Sequence, residues 1–276
     1  MDTSASSNKS LLRFFSLIFA LSIPFWLVGT FAEHLSIGLP LNLPVSALMF
    51  PCPLIAALIL VYREDGPGGI RRLLNKVFDY KRIRPKIWYV PIIFLLPIIY
   101  LLSYGIMRLM GLPLLELHIS FLTIPILFVV FFISAAGEEA GWMGYAVDPM
   151  QDRWSALKTG IILGLLWSIW HVVPDIQAHQ TWAYIAGQRF YSVVLRILIV
   201  WLYNNTGKSV FAAILFHDMD NVTVYSLFPN TSTYYYPAIT GVLTAIAAVT
   251  VTFLWGSKTL ARYRYACPPE NRLIKK

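Results

Sequence analysis

Eight apolar stretches follow one another along this chain of 276 residues. They cover residues 11–31, 43–62, 88–110, 119–145, 156–173, 190–204, 209–224 and 237–256. Crossing a bilayer as a helix takes roughly 20 residues, and these runs bracket that length. Hydrocarbon offers a backbone no hydrogen-bond partner, so each stretch must satisfy its own N–H and C=O groups as a helix. The pattern predicts an all-α, multi-pass transmembrane bundle of about eight spans, a single integral membrane domain over residues 1–276. Charged residues make up 13% of the chain, against about 25% in a soluble domain. The deficit runs along nearly the whole length, which excludes one anchor on a soluble domain. The sixth and seventh spans are short and the fourth is long, as is tolerated where backbone is buried in protein or lines a wet cavity. Pro24, Pro44, Pro51, Pro53, Pro91, Pro97 and Pro125 are expected to kink or bound spans.

The basic residues set an orientation. With the N-terminus placed in the cytoplasm, the inside segments hold every Lys and Arg except Arg108 and Arg189, which fall outside, and Arg196, which lies within a span. The positive-inside rule is then met at each loop, with both termini cytoplasmic. This bias accounts for the net charge of +8 without a nucleic-acid partner. Localisation follows as the cell membrane of a prokaryote or the endoplasmic reticulum of a eukaryote.

The loop from Arg63 to Lys86 is the most basic. In it Ile70, Leu73, Leu74 and Val77 share a helical face, and Arg71, Arg72 and Lys76 lie off it. That reads either as a short helix on the anionic inner leaflet or as a loop that only sets topology. Residues 148–153, DPMQDR, read as a polar turn. No cleavable signal is evident, because the apolar run after Lys9 and Arg13 is too long for one. Cys52 and Cys267 form no disulfide framework. The Asn204, Asn221 and Asn230 triplets match the glycosylation pattern, and only Asn230 falls in an outside loop.

The chemistry is concentrated in three places. GEEAGWMG, residues 137–144, puts adjacent Glu138 and Glu139 at the end of an uncharged run. Carboxylates at bilayer depth are expensive and rare unless they do something. Adjacent helical residues are about 100° apart, so one Glu faces a cavity while the other needs its own partner. LLWSIWH ends an apolar stretch at His171. FHDMDN places His217 and Asn221 one turn apart on one face, with Asp218 and Asp220 between them. Arg196 is expected to neutralise one of those two acids. A Glu, two His and an Asn could deprotonate a water and donate to an oxyanion, as amide hydrolysis needs. The same groups could hold zinc, although no H-E-x-x-H is present.

Together these motifs resemble the CAAX-processing and bacteriocin-immunity membrane proteases, the abortive-infection or type II CAAX prenyl endopeptidase family. The matches are Glu138–Glu139, Trp167 four before His171, and His217 four before Asn221, over roughly residues 119–225. The family's arginine would stand at Met143, four after Glu139, where it would pair with that carboxylate. Its absence leaves Glu139 in need of a substitute, with Arg153, Arg189 and Arg196 as candidates.

The resemblance implies an intramembrane endopeptidase. Glu138 would be the base, His171 would help activate water, and His217 and Asn221 would stabilise the oxyanion, with Glu139 and Trp167 in support. It implies no particular metal; if one binds, zinc on Glu138, His171 and His217 is the expected set. The substrate would be a lipidated, CAAX-like or membrane-associated peptide. The alternative is a non-catalytic immunity or scaffold protein that keeps the fold, which the missing arginine favours; a transporter ranks below both, for want of inverted repeats. Counted from the inner ends of their spans, Glu138 and His217 lie about 10–14 Å deep and His171 about 20–23 Å. The mismatch requires tilt or a late helix start.

Overall fold

The apolar stretches close into helices, and the charges decide where the helices stop and how they dock. The computed structural model describes residues 3–35, 38–114, 121–228 and 235–261. Its long helices are α1 (Thr3–His34), α2 (Cys52–Lys76), α3 (Tyr89–Leu109), α4 (Ile124–Gly141), α5 (Ala156–Gln177), α6 (Trp182–Asn205), α7 (Val210–Leu227) and α8 (Pro237–Trp255). α4 runs on through a π-helical turn, Trp142–Ala146, and a last piece, Val147–Gln151. Among the described residues seven helical segments are long and apolar enough to cross a membrane. α7, with His217, Asp218, Asp220 and Asn221, is not one of the seven, and most of its residues are buried among the other helices.

The expected spans are met with three differences. α6 begins at Trp182, not residue 190, so it is not short. Thr181 caps its first turn by accepting from the Tyr184 N–H, and the embedded Arg189 is neutralised by Asp175 at 3.1 Å. The expected polar turn at residues 148–153 is helical as far as Gln151. There Asp148 takes the Lys208 ammonium at 2.9 Å and the Tyr203 hydroxyl at 3.1 Å. α2 continues past residue 62 and breaks at Gly66 (φ 64°, ψ −157°), a backbone that only glycine adopts readily. Beyond the break, residues 67–76 form the expected amphipathic segment. Leu73 and Val77 are buried and Arg71 and Arg72 exposed, but Leu74 also faces outward. Asn230 and Cys267 lie outside the described residues.

The segments expected on the inside meet on one face. The Asp79 carboxylate caps α7, accepting from Ser209 Oγ at 2.6 Å and the Phe211 N–H at 3.1 Å. Asn204 and Asn205, at the end of α6, donate to the carbonyls of Thr259 and Leu260 beyond α8. Tyr145, in the π turn of α4, reaches Glu64 at the end of the α2 span. Two long helices separate each of these segments from the next, which returns the chain to the same face each time. Asp79→Ala should cost about 1–2 kcal/mol through loss of the cap, read as a lower midpoint in thermal unfolding of the purified protein.

Two glycine pairs set the helix spacing. A Cβ at Gly137 would lie 2.8 Å from the Phe50 ring, and one at Gly141 2.5 Å from the Pro53 carbonyl carbon. One turn apart, they let α4 lie directly on the start of α2, as small residues do in membrane packing. On α5, Gly160 and Gly164 bring α6 equally close, against Ile197 and Val193. The glycine face of GEEAG therefore turns to α2, and its two glutamates turn towards α5, α6 and α7.

Candidate active site

Trp167 joins the site. Its indole N–H donates to Glu138 Oε2 at 2.7 Å. Its backbone carbonyl accepts from His171 Nδ1 at 3.0 Å. The imidazoles of His171 and His217 both stand edge-on to its ring, with centroids 5.2 and 5.3 Å away. The guanidinium of Arg196 lies over its face, 4.4 Å from the centroid. Three separate sequence motifs thus meet at one side chain. The site is nearly closed: Glu138, Glu139, His217 and Arg196 are buried, and His171 and Asn221 are half-buried.

Glu139 makes the second set of contacts. Its Oε1 lies 2.9 Å from His217 Nδ1, and its Oε2 lies 2.5 Å from the Arg196 guanidinium. Of the three arginines considered as its partner, Arg196 fills the role. Arg189 is paired with Asp175 instead. Met143 is packed in the core beyond, within the π turn.

This corrects the assignment of Arg196 to Asp218 or Asp220. Asp220 is satisfied by the hydroxyls of Tyr100, at 2.8 Å, and Tyr191. Asp218 is buried with neither oxygen hydrogen-bonded. The two tyrosines were not anticipated, because nothing in the chain sets Tyr100 and Tyr191 apart from the other polar side chains of their runs.

The hydrogen bonds fix the tautomers. A carbonyl only accepts, so His171 carries its proton on Nδ1 and keeps a lone pair on Nε2. A carboxylate also accepts, so His217 likewise holds a proton on Nδ1, and its Nε2 is turned from Glu139. Asn221 lies one turn beyond His217, and among the described residues its amide has no hydrogen-bond partner.

Between Glu138 and His171 the depth mismatch closes because α4 continues to Gln151, while His217 stays about 10 Å from the start of α7. Glu138 thereby lies about 20 Å from that end, level with His171. Trp167 Nε1 spans what is left to Glu138.

The π turn has its own consequence. Widening the helix frees carbonyls from the regular ladder, and the one at Gly144 accepts from Lys76 Nζ at 2.7 Å. The basic segment of α2 is thus tied to the helix that carries Glu138.

Zinc does not fit this arrangement. Among the described residues no three His, Cys, Asp or Glu side chains form a metal-binding group. Glu138 and both histidines each contact the Trp167 indole. Trp167→Phe keeps a ring in place but removes the donor to Glu138. It should lower any Glu138-dependent rate about tenfold or more and cost about 1–3 kcal/mol for the orphaned buried carboxylate oxygen. Initial rates and thermal melts of the purified variant check both.

Comparison with known proteins places a family match over these motifs. Residues 120–223 match the family model for Rce1-like type II CAAX prenyl endopeptidases. A Methanococcus maripaludis protein named CAAX prenyl protease 2 is 29% identical over 258 residues, spanning 87% of this chain and 92% of that protein.

Proposed function

Because this chain belongs, through residues 120–223, to the family of Rce1-like type II CAAX prenyl endopeptidases, an integral membrane protein with several spans, we propose that it hydrolyses a peptide bond inside the membrane with a water activated by Glu138 and His171. The observation that carries this reading is the meeting of Glu138, His171 and His217 around Trp167. Trp167 engages Glu138 Oε2 and leaves the other oxygen to take a proton from water. His171 Nε2 has the lone pair to hold that water. As water attacks the carbonyl carbon its proton passes to Glu138, which then returns it to the leaving amine. His217 Nε2 and the Asn221 amide donate to the oxyanion. A ring that donates from both nitrogens carries a positive charge, and Glu139 is the counter-charge beside it.

The proposed substrate is a lipidated, CAAX-like or membrane-associated peptide. An open-sided apolar groove of about 400 Å³, lined by Tyr89, Ile93, Phe128, Phe211, Leu215 and Met219, offers hydrocarbon a place beside α7. The Lys and Arg asymmetry supports a cytoplasmic side for the basic segment between α2 and α3. Exposed Phe78 and Ile87, among exposed Arg71, Arg72, Lys81 and Arg84, suit an anionic inner leaflet.

The test is incubation of the purified protein in vesicles with a farnesylated CAAX peptide and with its unlipidated counterpart, the products weighed by mass spectrometry. Cleavage within the peptide, faster for the lipidated form, is expected. Recovery of both peptides intact overturns the reading. The non-catalytic alternative drew on Met143, and Arg196 beside Glu139 removes that support.

A further inference from the structure

We infer that Arg196 is a positioning residue that orients both halves of the site at once, supplying from α6 the guanidinium that α4 lacks at Met143. The inference rests on the endopeptidase reading.

Arg196 is buried with no exposed surface, so it touches neither water nor substrate and acts only through neighbours. Two neighbours matter. One terminal nitrogen holds Glu139 at 2.5 Å, and the opposite oxygen of Glu139 holds His217 Nδ1. The plane of the same guanidinium covers the Trp167 ring at 4.4 Å, and the Trp167 N–H holds Glu138. The base and the oxyanion donor are therefore set by one side chain from opposite directions.

The group has to be an arginine. A planar cation stacks on an indole and bonds a carboxylate at its rim at the same time, whereas an ammonium is a point charge on a flexible stem. Its Nε and remaining terminal nitrogen make no hydrogen bond, so the ring face and Glu139 account for its contacts. The approach is built into α5. At Gly164 a Cβ would meet Val193 Cα at 2.8 Å and Arg196 Cβ at 3.2 Å, so only a residue without one lets the Arg196 stem pass that close to Trp167. Position 143 offers no such route, since it lies in the π turn, out of the regular i, i+4 register with Glu139.

The experiment compares Arg196→Met, Arg196→Lys and the neutralised pair Glu139→Gln/Arg196→Met with wild type, on a cleavable peptide and by nitrogen NMR of ¹⁵N-histidine protein, with His217→Asn assigning the His217 signals. Arg196→Met should lower kcat about 100-fold, the usual result of a displaced catalytic group, with KM within about threefold. Arg196→Lys should recover less than about a tenth of the wild-type rate. The neutralised pair removes one buried charge of each sign, so it tests function apart from folding. It should stay folded and equally slow. The His217 Nδ1 signal should pass from that of one fully protonated site, held by Glu139, to a mixture in the Arg196 variants. A folded Arg196→Met or neutralised pair cleaving within about threefold of wild type overturns the proposal. If wild type cleaves nothing, the endopeptidase reading fails by itself. The His217 signals then still decide, and an unchanged Nδ1 signal in Arg196→Met overturns the positioning role.

Discussion

Glu138→Gln should lower peptide cleavage by about 10²–10⁴-fold, the range of a positioned general base, and leave the protein folded. The substitution is nearly isosteric, and a glutamine carbonyl oxygen still accepts the Trp167 N–H that now reaches Glu138 at 2.7 Å. The hydrogen bond that orients the side chain therefore survives, and only the ability to take a proton is lost. Replacing a buried carboxyl with a neutral amide also removes a desolvation cost, so the thermal midpoint should hold or rise. Initial rates on a membrane-reconstituted reporter, alongside a melt of the same preparation, provide both numbers. A variant that melts like wild type and cleaves within tenfold of it would remove Glu138 from the mechanism.

The largest expected loss of stability is at Gly141, next to Glu138 and Glu139 and unrelated to proton transfer. Gly141→Ala places a methyl 2.5 Å from the Pro53 carbonyl carbon. The obstacle is backbone, so rotating a side chain relieves nothing, and α2 must move off α4. Overpacking of this kind costs about 3 kcal/mol, at the upper end of its usual range. Because Glu138 and Glu139 are carried on the same turn, activity should fall together with the thermal midpoint. Ala140→Gly, one residue away, adds no atom; it gives up one buried methyl and about 1 kcal/mol of helix propensity. Equal midpoints for Gly141→Ala and Ala140→Gly would show that the close packing of α2 on α4 is not what holds this region.

Much of this was legible in the chain. The spans are readable because oil leaves a backbone one solution, so length and hydropathy nearly determine α3, α5 and α8. The candidate site is readable because Glu138, Glu139, His171 and His217 are conspicuous against apolar surroundings. The start of α6 was not. Gln188 and Arg189 look like the edge of a span until Asp175, on another helix, neutralises the arginine. The reach of α4 to Gln151 was missed in the same way, since Asp148 is tolerable in a helix only with Lys208 and Tyr203 beside it.

The partner of Arg196 shows the boundary most clearly. Its position in a span announces that some acid must answer it, but Asp218, Asp220 and Glu139 satisfy that demand equally in one dimension. The answer depends on which helix faces meet, and Gly160 and Gly164 decide that by the closeness they allow between α5 and α6. The sequence by itself determined that the chain crosses the membrane as helices and which polar groups it carries there, since transfer free energy is a property of each residue. Only the tertiary structure decided that Trp167 joins those groups and that Arg196 holds Glu139, because pairing depends on the distances between helices that the chain keeps far apart.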